Sequence, residues 1–420
     1  MAFDSEQMAR IGPARGQAPV RAPSFATGRR SDLDWLRVGA FGLLILFHVA
    51  LVYAPFDWHM HSRHTEGWLR EGILVTGPWR LTLLFLISGC ALKLMSRKLD
   101  AGAVLKARFA RLIPPALFGI LILVPPQAWL EALDKNWFSG DLFGWYAHQF
   151  SAEGLAGGLP VNHMWFVLYI LVYSVAATAL IALPKVQAAL SKAVAWALRG
   201  PALLILPIVY LTLARQGLFL RYGISNHLSS DWYNHAVSLG TFLLGFLAVG
   251  QDGFWRTAIR WRWAAAGMAA LALPTLMALQ SMPEVIPEPW WISATFSIDQ
   301  WATIAAILGF GAKHLRDKDG PTLRYLTQAV FPCYLVHQTI LVGSVWMLRP
   351  LNLPAPVEAL TLIALTVGGC LLVYEAVRRV NPIRPLFGLK PLSRRVLAEA
   401  PVLQPTPART PTPALTAEAA

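Results

Sequence analysis

Long apolar runs broken by short basic ones make up most of this chain. The stretches 38–56, 112–130, 154–184, 232–251, 263–283 and 325–348 contain no Asp, Glu, Lys or Arg. Four further stretches, 74–95, 200–215, 294–312 and 358–377, are nearly as apolar, although the first holds Arg80 and Lys93 and the third is broken near its start by Asp299. A helix needs about 20 predominantly apolar residues to cross a bilayer. The pattern therefore predicts an all-α polytopic membrane protein with about ten transmembrane helices.

Composition agrees. Of 420 residues, 55% are hydrophobic and 14% charged, with a mean hydropathy of +0.48. Soluble domains carry about 25% charged residues, so a soluble enzyme or a disordered chain is disfavoured. Cys90, Cys333 and Cys370 all lie within apolar stretches, which suggests neither a disulfide framework nor a zinc site. The net charge of +13 could signal nucleic acid, but in so apolar a chain it reads as loops obeying the positive-inside rule. With the N-terminus in the cytoplasm and ten crossings, 29 Lys/Arg fall inside and 7 outside. Both termini are then cytoplasmic. Residues 1–30 and 396–420 read as disordered tails, the first basic and the second rich in Pro, Ala and Thr; the membrane domain spans 31–395. The longest outer loops carry His, Trp, Asp and Glu, a composition suited to sugar contact or, alternatively, to an aromatic belt.

Candidate chemistry lies in the ionisable groups within the spans, where such groups are costly and usually face the bundle interior. Arg37 and His48 are 11 residues apart on the first helix. At about 100° per residue they share a face, roughly 16 Å apart along the axis. One face thus offers a cation near the inner surface and a titratable imidazole deep in the bilayer; the plain alternative is a snorkelling Arg and a packing His. Arg108 and Arg111, spaced i, i+3 on the third helix, could clamp a phosphate or simply be positive-inside charge. Ser88-Gly89 in the second helix permits close packing or makes room for a ligand. His163 and Trp165 open the fourth helix from the outer side, as an interfacial anchor or a sugar platform. His337 lies midway along the ninth helix. Glu375 is expected to pair structurally with Arg378 or Arg379. His59, His61 and His64 lack a carboxylate or Cys set at metal-binding spacing, so no metal is expected. There is no P-loop, dinucleotide fingerprint or nucleophile elbow.

In order along the chain, Asp34-Trp35-Leu36-Arg37 followed by His48, Ser88-Gly89, Arg108-x-x-Arg111, His163-x-Trp165-Phe166 and Tyr334-x-x-His337 resemble the acyltransferase family 3 membrane proteins. Two positions depart from the family pattern: Val38 precedes Gly39 after the first-helix Arg, and the aromatic pair before Ser-Gly is reduced to Phe85. Trp-rich outer loops and the closing segment Asn381–Gly388 are most similar to the branch that modifies glucans. The resemblance implies a multi-pass protein of the bacterial inner membrane that moves an acyl group from a cytoplasmic donor, acyl-CoA, to a carbohydrate hydroxyl. For the glucan branch it implies O-succinylation of osmoregulated periplasmic glucans from succinyl-CoA. Acyl-CoA is a co-substrate here; no resident cofactor and no nucleic-acid partner is expected. The expected roles are Arg37, Arg108 and Arg111 on the donor phosphates, His48 as general base or acyl carrier, His337 or Ser88 orienting it or stabilising the oxyanion, and His163 and Trp165 seating the sugar. Arg80 is a candidate for a carboxylate on the acyl group. Without the resemblance, acyl transfer and export of a polar or anionic solute stand level, with O-acetylation of another envelope polysaccharide also open.

Overall fold

The computed structural model describes residue 25 and residues 28–67, 69–280 and 288–392. Among these the chain forms helices and turns with no strand. Ten long helices follow the ten apolar stretches: α1 (Ser31–Tyr53), α2 (Gly77–Met95), α3 (Ala101–Asp134), α4 (Trp165–Ala182), α5 (Ala202–Ala214), α6 (Trp232–Ala248), α7 (Asp252–Gln280), α8 (Trp290–His314), α9 (Pro321–Leu348) and α10 (Ala355–Val377). Eight of the ten lie in segments long and apolar enough to span a membrane. The other two are α6, which has only 17 residues, and α8, which buries Ser293, Ser297, Asp299 and Gln300. Both sit within the bundle, α6 along α2 and α8 along α7. Helix α1 is central, touching α2, α8, α9 and α10.

Burial is inverted relative to a water-soluble fold. Leu271 and Leu372 are more than 70% exposed, whereas Arg80, Gln127, Asp231, Asp299 and His337 are buried. Apolar side chains facing outward and polar ones inward is the arrangement a lipid solvent imposes.

The loops gather at two ends. At one, the Phe25 N–H donates to Asp252 (2.6 Å), Arg29 meets Asp319 (3.4 Å), and Trp35 Nε1 donates to the Lys318 carbonyl (2.8 Å). Here too Glu375 pairs with both Arg378 and Arg379. At the other end, Lys135 meets Asp57 (2.9 Å), His64 Nε2 donates to the Leu353 carbonyl (2.9 Å), and Arg349 pairs with Asp134. Lys135 holds the exposed Asp57 carboxyl below its ordinary range, first by a hydrogen bond and then by charge. Of the basic tail expected over 1–30, only residues 25 and 28–30 are described. Arg30 is buried against the Trp255 ring (3.8 Å) with a two-pronged bond to Asp32, which ties it into the bundle. Residues 396–420 lie outside the described residues, as does most of the first tail.

Two local devices shape the interior. A Cβ on Gly89 would sit 1.9 Å from the Phe242 carbonyl oxygen, and one on Gly245 would sit 2.0 Å from that of Leu86. The Ser-Gly element therefore serves close α2–α6 packing, which small residues allow. In α3, Pro125 and Pro126 have no N–H to give the carbonyls one turn before them. The helix widens into a π turn at Gly119–Leu123, the Leu121 carbonyl accepts instead from the Tyr146 hydroxyl (3.2 Å), and the Leu123 carbonyl accepts from Thr339 (3.0 Å).

Candidate active site

Three histidines from three helical elements meet at the bundle centre. His48 comes from α1, His337 from α9, and His163 from the 3-10 turn Asn162–Met164 that leads into α4. The His48 and His337 ring centres are 5.0 Å apart, and those of His337 and His163 are 5.1 Å apart. His163 is 6% exposed, is clamped to α9, and borders the same cavity as His48. Its Nε2 donates to the Leu335 carbonyl (3.0 Å), and its own carbonyl accepts from the Tyr334 hydroxyl. The turn is set by Asn162, at φ 38°, a left-handed conformation that Asn tolerates better than most residues. Asn162 donates to Gln127 (3.1 Å), which donates to Thr339 (2.6 Å), so α3 and α9 hold the turn.

The backbone fixes the proton positions. A carbonyl can only accept, so His337 Nδ1, 2.6 Å from the Tyr334 carbonyl, carries the hydrogen. In a neutral ring this leaves Nε2 as a lone pair, and that atom is buried without a partner. By the same reasoning His163 presents its lone pair at Nδ1, also unpartnered. His48 Nδ1 is the third unpartnered buried nitrogen of the cluster. Two imidazoles joined by an N–H···N bond have ring centres about 5 Å apart, since the bond itself takes about 3 Å. The two rings are near enough for such a bond, in which His48 Nδ1–H would reach His337 Nε2 and leave His48 Nε2 as a lone pair; here both facing nitrogens are unpartnered.

His48 lines a cavity of about 1000 Å³ that Trp58, Trp137, Trp145 and His227, from the segments between the long helices, also line. Trp58 stacks on His48 at 6.2 Å, and Trp165 faces the cavity beside Phe85, Phe166 and Tyr169. His59 and Glu131, 2.5 Å apart, line it too. A 1000 Å³ chamber with several indole faces is of a size and character to take a carbohydrate or another ligand of comparable bulk.

The arginines stand apart from the histidines. Arg37 is bonded to Asp34 (3.2 Å), Arg108 donates to the Ser88 carbonyl (3.4 Å), and Arg111 lies 6.0 Å from the Phe331 ring centre. Arg108 and Arg111 have no carboxylate within 4.0 Å among the described residues, and Arg37 Nε and Arg108 Nε are buried without partners. The three guanidinium groups are within electrostatic range of one another. Such a cluster is satisfied best by an anion with several oxygens. A second cavity, about 560 Å³, reaches Arg37 together with Arg29, Arg30, Arg97 and Lys98; Arg108 and Arg111 are outside its lining. Ser88 belongs with this group. Its hydroxyl donates to the Leu84 carbonyl (2.8 Å), which commits its one O–H to its own helix.

Sequence reasoning did not bring His59 to Glu131, which are 72 positions apart, or Trp58 onto His48. Polar residues inside apolar runs, such as Gln300 and Gln338, were a usable signal for the chamber wall, and both are buried.

A family model described as an acyltransferase domain matches residues 30–375. Among curated proteins, the chain is 23% identical over 395 residues to glucans biosynthesis protein C of Shigella dysenteriae serotype 1 (strain Sd197), covering 89% of this chain and 98% of that one. The protein of the same name from Escherichia coli (strain K12) gives the same figures. That of Salmonella typhimurium is 22% identical over 382 residues, covering 87% and 96%. No solved structure matches the chain.

Proposed function

Since the chain belongs to the acyltransferase 3 family and is a multi-pass membrane acyltransferase, we propose that it transfers a succinyl group from cytoplasmic succinyl-CoA to hydroxyls of a periplasmic glucan, across the bacterial inner membrane. The observation that carries this reading is the division of labour along α1. Arg37, paired with Asp34, stands near Arg108 and Arg111, which have no carboxylate partner among the described residues, at the end of the bundle that gathers Arg29, Arg97 and Lys98. Eleven residues on, about 16 Å along the axis, His48 faces a tryptophan-walled chamber. A charged donor and a sugar acceptor on opposite faces of a membrane require that separation.

Arg37, Arg108 and Arg111 hold the donor phosphates, and the narrow pantetheine arm runs between helices to His48. His48 Nε2 takes the proton from the sugar hydroxyl as its oxygen attacks the thioester carbonyl. The C–S bond breaks, and the proton passes from His48 to the departing CoA thiolate. His337 positions His48 by accepting its Nδ1–H, the arrangement by which one group orients a base for another. Its own Nδ1–H is committed to Tyr334, so while neutral it has no N–H to offer an oxyanion. His163 closes the same cluster, and Trp165 and Trp58 stack against the sugar. The enzyme family sets aside the exporter reading.

The test compares cells carrying wild type, His48→Ala or no gene. Periplasmic glucans are extracted and examined by mass spectrometry for base-labile esters. A succinyl adduct that only wild type produces supports the proposal. An acetyl adduct would overturn the succinyl assignment. Identical glucans in all three, with expression of the variant verified, would overturn the acceptor.

A further inference from the structure

Arg80 is a buried cation with no anion. It is 2% exposed, and no carboxylate lies within 4.0 Å of it among the described residues. Thr76 accepts one hydrogen bond from Nη1 (2.8 Å), the Phe47 ring centre lies 3.8 Å from the guanidinium carbon, and Nε is buried without a partner. A guanidinium offers five N–H donors in a planar fork. An uncompensated charge in a bundle interior is costly, and structural arginines in such places find a carboxylate. Elsewhere in this protein they do: Arg30 has Asp32 and Arg215 has Glu288, each through two bonds.

Arg80 also lines the chamber that His48 lines. The Phe47 ring lies between reach of both, 5.6 Å from the His48 ring centre and 3.8 Å from the guanidinium. Beside it Gln300, also on the chamber wall, donates to Thr82 (2.9 Å) and leaves its Oε1 unpartnered. A group that arrives at His48 thus has a cation one aromatic ring away.

The geometry points to Arg80 as the specificity-determining residue of the chamber, binding the distal carboxylate of a dicarboxylate-derived acyl group while the thioester end is at His48. This rests on the acyl-transfer reading above and extends it. Two methylenes separate the carbonyl carbon from the far carboxylate of a succinyl group, and Arg80 supplies the charge-assisted bonds that an acetyl or butyryl group cannot accept. The same cation could instead meet an acid carried by the acceptor, and the test separates the two.

Full-length protein in lipid nanodiscs is assayed with succinyl-CoA and with butyryl-CoA, which has the same chain length and no carboxylate. A neutral glucan and an acidic polysaccharide serve as acceptors. Wild type, Arg80→Gln and Arg80→Lys are compared, and thermal shifts with each donor report binding without turnover. The expected result is a succinyl-over-butyryl ratio of kcat/KM that falls on the order of 30-fold or more in Arg80→Gln, as loss of a charge-assisted hydrogen bond predicts. Arg80→Lys should restore part of it. An equal fall with both donors would make Arg80 structural and overturn the inference. A fall that depends on the charge of the acceptor and not of the donor would assign Arg80 to the acceptor and overturn it too. If no donor yields an ester but succinyl-CoA still stabilises wild type more than Arg80→Gln, the acyl-transfer reading fails while Arg80 keeps its ligand. Esters formed with an unchanged donor preference would give the reverse.

Discussion

At the scale of single residues, the account turns on which nitrogen of each histidine is free. The Tyr334 and Leu335 carbonyls fix His337 and His163 as lone-pair donors toward the cluster centre. His48 is the ring that also lines the chamber. His48→Ala should therefore lower transfer by about 10³-fold, within the range for loss of a general base, while the solubilised protein keeps its melting temperature. His337→Ala should lower kcat by roughly 10–100-fold with little change in acceptor KM, since the base remains but is no longer held. Its pH profile carries the distinction: wild-type rates fall as pH drops through the imidazole range, and the midpoint should move in the variant. An unmoved profile with a lowered melting temperature would make His337 merely structural. Arg111→Ala should raise the apparent KM for succinyl-CoA about tenfold, the loss of one charge-assisted contact, with kcat little changed; an unchanged KM removes Arg111 from the donor site. That His48 and His337 lie inside the bundle was legible in the sequence because imidazoles inside apolar spans stand out. The hydrogen bond of Ser88 was not legible, because a helical serine can return its hydroxyl to the preceding turn, as this one does to Leu84.

At the scale of elements, the positions of the long helices were readable from the apolar runs, whereas their contacts were not. All ten predicted segments carry helices, yet α6 and α8 are short or polar because they are walls inside the bundle. The non-helical joints decide the site. The Asn162–Met164 turn swings His163 inward, and along the π turn Gly119–Leu123 carbonyls tie α3 to α9 and to Tyr146. Neither departure shows in hydropathy, although Pro125-Pro126 marks where a regular ladder must fail. The α2–α6 contact gives the sharpest test at this level. Gly89→Val would drive a Cβ into the Phe242 carbonyl, whose backbone has no rotamer to escape by. Overpacking of this kind costs at least about 1–3 kcal/mol. The expected outcome is a clearly lower melting temperature and yield of solubilised protein, with Gly39→Ala, where nothing stands within 4 Å, as the tolerated control.

At the scale of the whole molecule, the bundle has two chemically distinct ends joined through α1: a cationic one around Arg37 and a tryptophan-rich one above His48. From the charge count along the sequence, the first is expected on the cytoplasmic side. Sided transfer is thus the central claim. The most direct measurement uses proteoliposomes in which the cationic end faces outward, verified by protease accessibility, with neutral glucan sealed inside and labelled succinyl-CoA added only outside. The account predicts labelled ester on the enclosed glucan with wild type and none with His48→Ala. Label that reaches glucan only when donor and acceptor share one compartment would contradict it.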